Sequence, residues 1–480
     1  MKIVMAMPPW RPSEVFTGNF GMFVGGTWHP LGILSVAAAL REAGHDVTLL
    51  DGAFYTQEEM VRKIADMDPG FVGFYLTTFL WRNANSIAEQ LKREMPDLLI
   101  VVGGPLASGW RDRVLRETDL FDAVTFGEGE ETAADLADAL TYGRDLSTVR
   151  SIAYREDGEV KKTRVRPPLA DLDALPFPAR DLLGDVKKYV PPLGTYKRLP
   201  AMYMYTSRGC NGQCIFCWQL NAEGDIRTQS AERVLAELDH IYETYKLKEI
   251  RFFDDNFTYD KERIHKILDG IIERDYDLTF YASSRVDDVD EGILEKMGRA
   301  GFWGIMFGIE AGTQEDLDAL GKGVTVEQNR KAVEWAHRAG LLTVTPFIFG
   351  IPGQTPESAR KAIDFAIEID SDIVNFHSLT PFPGAELYEH VEKYGSVASD
   401  DVSDYTFEGI AFVPKTMTRE EIQDLRAEGF RRFYRRPRYM WKRLKMIRGW
   451  TDIKVLVAGG IAFLMTILFK KEFTPHGTQV

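Results

Sequence analysis

Cys210, Cys214 and Cys217 are the only cysteines in the chain, and they fall within one eight-residue window. Three thiolates on a short loop can each hold one iron of a four-iron cluster, because cluster irons are bound through cysteine sulfur. The fourth iron then has no protein ligand, since no further cysteine exists. An iron with an open position can bind a cofactor or substrate directly, which turns a metal site into a catalytic one. The alternative is a structural zinc held by three cysteines and a histidine. Such sites usually pair one C-x2-C with a second, and the sequence offers no second pair. The odd count, with no secretory leader at Met1–Pro9, argues against a disulfide framework and for a reducing, cytoplasmic compartment.

A cysteine loop of this kind needs a rigid frame. The run Met202–Ser207 directly precedes it and reads as a strand. Further strand candidates follow at Glu249–Asp254, Leu278–Ser284, Trp303–Ile309, Thr343–Phe349 and Ile373–Ser378. Amphipathic helices such as Ala231–Tyr245, Lys261–Arg274 and Val326–Ala339 fit between them. Six strand–helix units predict a partial (β/α)6, TIM-like barrel over residues 201–380, with its chemistry at the C-terminal ends of the strands. Residues 1–145 alternate strands at Ile3–Met7, Val47–Asp51, Phe71–Leu76, Leu98–Gly103 and Ala123–Phe126 with helical stretches. That order predicts an N-terminal doubly wound parallel sheet whose ligand sits at the carboxyl ends of its strands. Residues 146–200 contain a hairpin turning at Asp157-Gly158 and then a proline-rich connector. Residues 381–450 read as helical and increasingly basic, and 451–480 as a hydrophobic tail. The fold class is α/β.

The run Cys210-x3-Cys214-Ile215-Phe216-Cys217 resembles the radical S-adenosylmethionine (SAM) signature, including the aromatic Phe216 before the last cysteine. The resemblance covers about residues 200–380. It implies a [4Fe-4S] cluster whose open iron binds the amino and carboxylate groups of SAM, and cleavage to methionine and a 5′-deoxyadenosyl radical. It also implies roles at the strand ends. Asp254 would accept hydrogen bonds from the methionine amino group. In the Ser283-Ser284-Arg285 strand end, Arg285 would pair with the methionine carboxylate. Glu310 would hydrogen-bond the cofactor, and Pro352 lies in a turn resembling the family's adenine contact. Residues 1–145 resemble the cobalamin-binding domain of class B radical SAM enzymes through Thr77-Thr78, Gly103-Gly104-Pro105 and Gly127-Glu128-Gly129. These positions are the expected cobalamin contacts. The Asp-x-His-x-x-Gly motif that supplies a lower axial histidine is absent, because Asp51 is followed by Gly-Ala-Phe-Tyr. His29, a lone histidine, reads as a hydrogen-bonded loop residue.

The chain is 480 residues long with a net charge of -14, which speaks against non-specific nucleic-acid binding. The charge is uneven. Residues 431–448 carry nine Lys/Arg and no acid, with aromatics interleaved, and the uncharged run Val455–Phe469 follows. That run is shorter than the roughly 20 residues a crossing helix needs, so a shallow anchor on anionic lipid is expected. The solvated alternative is a basic helix followed by one buried against the barrel. The resemblance, which extends to anaerobic magnesium-protoporphyrin ester cyclases and lipid-modifying enzymes, implies cobalamin-dependent methylation of an unactivated carbon in a hydrophobic or lipid-like substrate. Oxidative cyclisation or carbon–carbon bond formation on a tetrapyrrole or isoprenoid lipid is the close alternative, and a non-catalytic iron–sulfur carrier or sensor the distant one. With no spare cysteine for a second cluster, an external electron donor such as ferredoxin or flavodoxin is expected. The expected location is the cytoplasm, with attachment to the inner face of the membrane through the tail.

Overall fold

The computed structural model describes residues 1–11, 26–218, 226–406 and 409–445, together with residues 453, 454, 457 and 460. The first sheet contains β1 (Lys2–Met7), β2 (Asp46–Asp51), β3 (Phe71–Tyr75), β4 (Leu99–Gly103), β5 (Ala123–Thr125), β6 (Ile152–Glu156) and β7 (Glu159–Lys162). Their order is β2-β1-β3-β4-β5-β6-β7, the first five parallel. Apolar clusters cover both faces, as a doubly wound sheet requires. The hairpin expected within the connector instead extends this sheet, because β6 pairs antiparallel with β5. Ile152, Ala153 and Tyr154 are buried there, so the hairpin adds core rather than hanging free.

The barrel opens with β8 (Ala201–Met204). A short antiparallel ribbon of β9 (Ser207–Arg208) and β10 (Arg227–Thr228) follows at its exit. β11 (Glu249–Phe252), β12 (Thr279–Ser284), β13 (Phe302–Phe307), β14 (Leu342–Phe349) and β15 (Ile373–Ser378) complete a six-stranded parallel sheet in sequence order. Side-chain caps in the sequence start five of the helices between the strands. Ser230, Asp260, Asp290, Thr325 and Thr355 all accept a backbone N–H from the first turn of their helices. Such a cap contributes about 1 kcal/mol. Phe252, Phe257, Phe280 and Phe302 stack on one another with ring centroids 4.5 to 5.9 Å apart. Phe257 lies past the end of β11, so its burial pins the loop that carries Asp254, Asp255 and Asn256.

Residues 381–414 are not simply helical. Two short strands, β16 (Gly395–Val397) and β17 (Phe412–Pro414), pair antiparallel. Val402, Tyr405 and Ala411 pack into the core of the first sheet, which draws this stretch away from helix and across the domain junction. The helices Arg419–Tyr434 and Pro437–Lys445 then return to the barrel. The apolar run Val455–Phe469 falls almost wholly outside the described residues. Among the described residues, no helix is long and apolar enough to cross a membrane.

Candidate active site

The cysteine loop leaves β9 through Gly209, whose φ of +94° is a conformation open to glycine and strained for other residues. It is tied to the barrel at several points. The Ile215 N–H donates to the Leu320 carbonyl at 3.0 Å, and the Leu387 N–H donates to the Ile215 carbonyl at 2.8 Å. Phe216 is half-buried against the barrel core. Asn211 donates to Asp288 at 3.1 Å and accepts from Asn256 at 3.2 Å. Gly212 leaves room for Arg285, since a Cβ there would stand 2.5 Å from its guanidinium.

The three sulfurs share one electrostatic environment. Burial raises the Cys214 thiol, while Lys322 and Arg285 pull against that rise. Cys217 keeps accessible surface, yet burial, Cys214 and Asp255 together push its thiol up to about 12. Loading iron therefore means displacing protons from these sulfurs. Among the described residues, no three His, Cys, Asp or Glu side chains converge to hold a single metal ion. A four-iron cluster asks less convergence, because each thiolate meets a different iron. The donor set fits such a cluster, with two cations beside it to offset its thiolate charge.

The strand ends bring some of the expected residues to this loop and hold others back. Arg285 reaches it: its guanidinium bonds Asp287 through two 2.9 Å contacts and the Lys322 carbonyl at 3.0 Å, and Cys210 and Cys214 favour its charge. Glu310 stands at φ +64°, which costs a non-glycine residue about 1–2 kcal/mol. Backbone bonds with Pro346 and Ile348 hold it there, and Lys322 Nζ lies 3.1 Å from its carboxylate. Lys322 escaped the sequence reading because it sits in a Gly-Lys-Gly turn between helices, with no pattern to mark it.

Asp254, expected to receive the methionine amino group, spends one carboxylate oxygen on Thr206 and Ser207 at the exit of β8. Its other oxygen is buried without a partner among the described residues. Ser284 is likewise taken, by Asn256 and Thr258. Both residues shape the loop from beneath. Pro352 follows Gly350, which faces Ile422 and Pro414 of the C-terminal region.

At the carboxyl edge of the first sheet, the Thr77 hydroxyl is buried with no partner among the described residues, as a missing polar ligand would leave it. Thr78, also expected to meet cobalamin, instead donates to the Tyr405 carbonyl at 2.7 Å. Gly104 has φ +100°, and a Cβ there would stand 2.9 Å from the Leu76 carbonyl. A Cβ on Gly103 would stand 2.6 Å from the Thr125 hydroxyl. Glu128 departs from its expected role. Its carboxylate takes both Arg227 nitrogens and the Leu169 N–H, with Arg208 3.5 Å away, so it fastens the junction between the sheets.

The two carboxyl edges face each other. The helix Pro105–Trp110 begins at Gly104. A Cβ on its Gly109 would stand 2.3 Å from the Pro383 carbonyl. One on Gly384 would stand 2.6 Å from the Trp218 indole nitrogen and 3.2 Å from the Gly109 Cα. Trp218 directly follows Cys217. Tyr75, Phe253 and Asp255 gather around Tyr205 at these edges, the Tyr205 and Phe253 ring centroids 5.9 Å apart. Tyr205 and Phe253 keep 38% and 44% of their surfaces accessible. Burial nevertheless raises the Tyr205 phenol, with Tyr75 and Asp255 adding to the rise, and burial takes Tyr75 up to about 12. Burial and Asp254 push Asp255 up to about 6. A separate recess of about 600 Å³ against the hairpin, lined by Thr148, Arg150, Tyr154 and Lys162 among others, holds none of these residues. The glycine turns and unpartnered Thr77 on one edge, and the cysteine loop with Arg285 and Glu310 on the other, fit a corrinoid and SAM.

Comparison with known proteins agrees with this geometry. Residues 22–137 match the B12 binding domain model and residues 204–366 the radical SAM superfamily model. An uncharacterized methyltransferase of Pyrococcus horikoshii is 34% identical over 92% of this chain and 94% of its own length. The anaerobic magnesium-protoporphyrin IX monomethyl ester cyclase of Rubrivivax gelatinosus is 28% identical over 86% of this chain and 75% of its own. The fold superposes on the cobalamin-dependent SAM radical enzyme OxsB with a TM-score of 0.74 at 20% identity, covering 97% of this chain and 72% of that one. With a B12 binding domain followed by a radical SAM domain and a 34% identical relative along nearly its whole length, the chain belongs to the methyltransferase-like, cobalamin-dependent family of radical SAM enzymes, whose cofactors are a [4Fe-4S] cluster, SAM and cobalamin.

Proposed function

We propose that this enzyme methylates an unactivated carbon of a hydrophobic substrate held in the cleft between its two sheets. The observation that carries the reading is the junction at Trp218, Gly384 and Gly109. There Gly384 touches both Trp218, beside the last cysteine, and Gly109, in the helix that the glycine turn opens, which supports a substrate reached from both sides. When bound, the cluster supplies the electron that cleaves SAM to a 5′-deoxyadenosyl radical, and cobalamin supplies a methyl group. The chain's own part is to hold and shield. Arg285 and Glu310 orient the methionine end of SAM. Tyr75, Tyr205 and Phe253 wall the cleft with aromatic surface that excludes water and favours an apolar guest.

Oxidative cyclisation is the second reading, favoured by the similarity to the Rubrivivax cyclase over most of the chain. The absence of a fourth cysteine leaves electron supply to an external carrier such as ferredoxin or flavodoxin. The reducing compartment that suits these thiols is the cytoplasm.

The test is anaerobic reconstitution with iron, sulfide and cobalamin, followed by turnover with extracted lipids and analysis of the SAM products. Methylation yields both S-adenosylhomocysteine and 5′-deoxyadenosine together with a methylated lipid. Consumption of the identified substrate with only 5′-deoxyadenosine formed rejects methylation, and a new ring in that product supports cyclisation.

A further inference from the structure

The helix Pro437–Lys445 has two faces of opposite character. Its inner face is bolted to the N-terminal end of β15. The Tyr439 hydroxyl donates to the Asp372 carbonyl at 3.1 Å, and Lys442 lies 2.9 Å from the Asp372 carboxylate. The preceding Tyr434 hydroxyl bonds Val374 on the same strand. With that face fixed, the other cannot turn inward. It presents Met440, Trp441 and Leu444, exposed at 57%, 61% and 49%. Arg438 and Lys445 on this helix, and Arg431 and Arg435 just before it, are all exposed, with Arg438 3.8 Å from the Asp370 carboxylate.

Isolated apolar residues on a surface need no explanation, but three on one face of a short, strongly basic helix do. We infer that this face docks on the surface of an anionic lipid bilayer, with the apolar strip entering the headgroup region and the cations meeting lipid phosphates. Two observations favour lipid over an acidic protein partner. The uncharged run Val455–Phe469 begins ten residues after Lys445, and Val457 within it is 54% exposed. The patch also lies at the N-terminal end of the barrel strands, whereas the cysteine loop lies at their C-terminal end. An electron carrier docked here would face the wrong end of the barrel. For the same reason, docking tethers the enzyme with its cleft directed away from the bilayer. The inference therefore holds or fails independently of the proposed reaction.

The full-length protein should co-sediment with vesicles of phosphatidylglycerol and phosphatidylcholine, weakly with phosphatidylcholine alone, and progressively less as salt rises. A triple variant, Met440→Ser with Trp441→Ser and Leu444→Ser, should bind anionic vesicles about tenfold less. A charge-reversal pair, Arg435→Glu with Arg438→Glu, should do the same. Far-ultraviolet circular dichroism should be unchanged in both, and so should SAM cleavage by the reconstituted enzyme. Undiminished vesicle binding by both variants would overturn the inference, because the downstream apolar run would then suffice alone. So would binding indifferent to lipid charge and salt. A change of oligomeric state without vesicle binding would overturn it in favour of a second copy. Binding of an acidic flavodoxin that these substitutions abolish, again without vesicle binding, would do so in favour of a protein partner.

Discussion

Arg208, two residues before Cys210, reaches out of the barrel to pair with Glu130 in the first domain, its Nη2 2.5 Å from the carboxylate. Burial opposes the charge on Arg208, but Glu130 and Glu128 more than offset it and hold the guanidinium firmly protonated. Cluster loop and cobalamin domain are therefore joined by an ion pair, with the Glu130 side chain only 8% exposed. Breaking a buried pair by removing one partner costs about 3–5 kcal/mol, and partial exposure of Arg208 places this one at the lower end. Glu130→Gln should lower the denaturant midpoint of the apoprotein. Arg208→Met combined with Glu130→Leu should recover most of that loss. In a double-mutant cycle, a coupling energy indistinguishable from zero would show that the two domains are held elsewhere.

His29 fastens the same junction from the other side, and it confers a pH dependence. Its Nε2 accepts the Tyr203 N–H at 3.2 Å, while Trp28 stacks on the Tyr203 ring. An acceptor nitrogen must be unprotonated. Burial, with Arg180 nearby, lowers the imidazole to about 3 from 6.5. Because the folded value lies below the unfolded one, the stabilisation is fully present above about pH 6.5 and is lost as pH falls toward about 3. Between about pH 7.5 and about pH 5.5 the loss amounts to about 1.4 kcal/mol. His29→Gln keeps an acceptor that does not titrate, so its thermal midpoint should fall less over this interval, by about 2 °C. Parallel profiles for variant and parent would remove His29 as a source of the dependence.

Much of this frame was legible from periodicity. The expected strand Leu278–Ser284 is observed as Thr279–Ser284, and Ile373–Ser378 is observed unchanged. The hairpin's attachment was not legible, because its partner β5 lies far off in sequence and edge pairing leaves little local trace. At the end of β11 the sequence placed carboxylates correctly but not their facing. Phe252 and Asp254 are buried while Phe253 and Asp255 are exposed, so the period of two continues past the strand and leaves Asp255 on the accessible side. Applying that alternation one residue further would have separated the two aspartates. Lys322 and Arg208 offered no such signal, since their partners come from other elements.

Lys322 supports Glu310 in a setting where both side chains are at most 10% exposed. Burial opposes the ammonium charge, and Glu310 and the Cys214 thiol restore it. Lys322→Met strands the Glu310 carboxylate and should cost about 3–5 kcal/mol of stability. The double variant Lys322→Met with Glu310→Leu should recover stability yet still fail to bind SAM. The measurement that separates these effects is the electron paramagnetic resonance spectrum of the reduced cluster with and without SAM. A normal SAM-induced change in the double variant would confine the pair to a structural role.

Gly104 gives the corresponding test on the cobalamin side. Its φ of +100° and the 2.9 Å approach of the Leu76 carbonyl to a Cβ penalise alanine twice, by strain and by displacing the turn that opens the Pro105–Trp110 helix. Strain of about 1–2 kcal/mol corresponds to roughly tenfold in affinity. Gly104→Ala should therefore retain about tenfold less cobalamin after desalting, read from the visible corrin absorbance. Iron content should hold, because the cysteine loop is anchored through Gly209, Asn211 and Ile215 rather than through this turn. Equal corrin retention would take the glycine turn out of cobalamin binding. A matching loss of iron would mean that the turn serves the junction as a whole, since Trp218 and Gly109 lie on opposite sides of one contact.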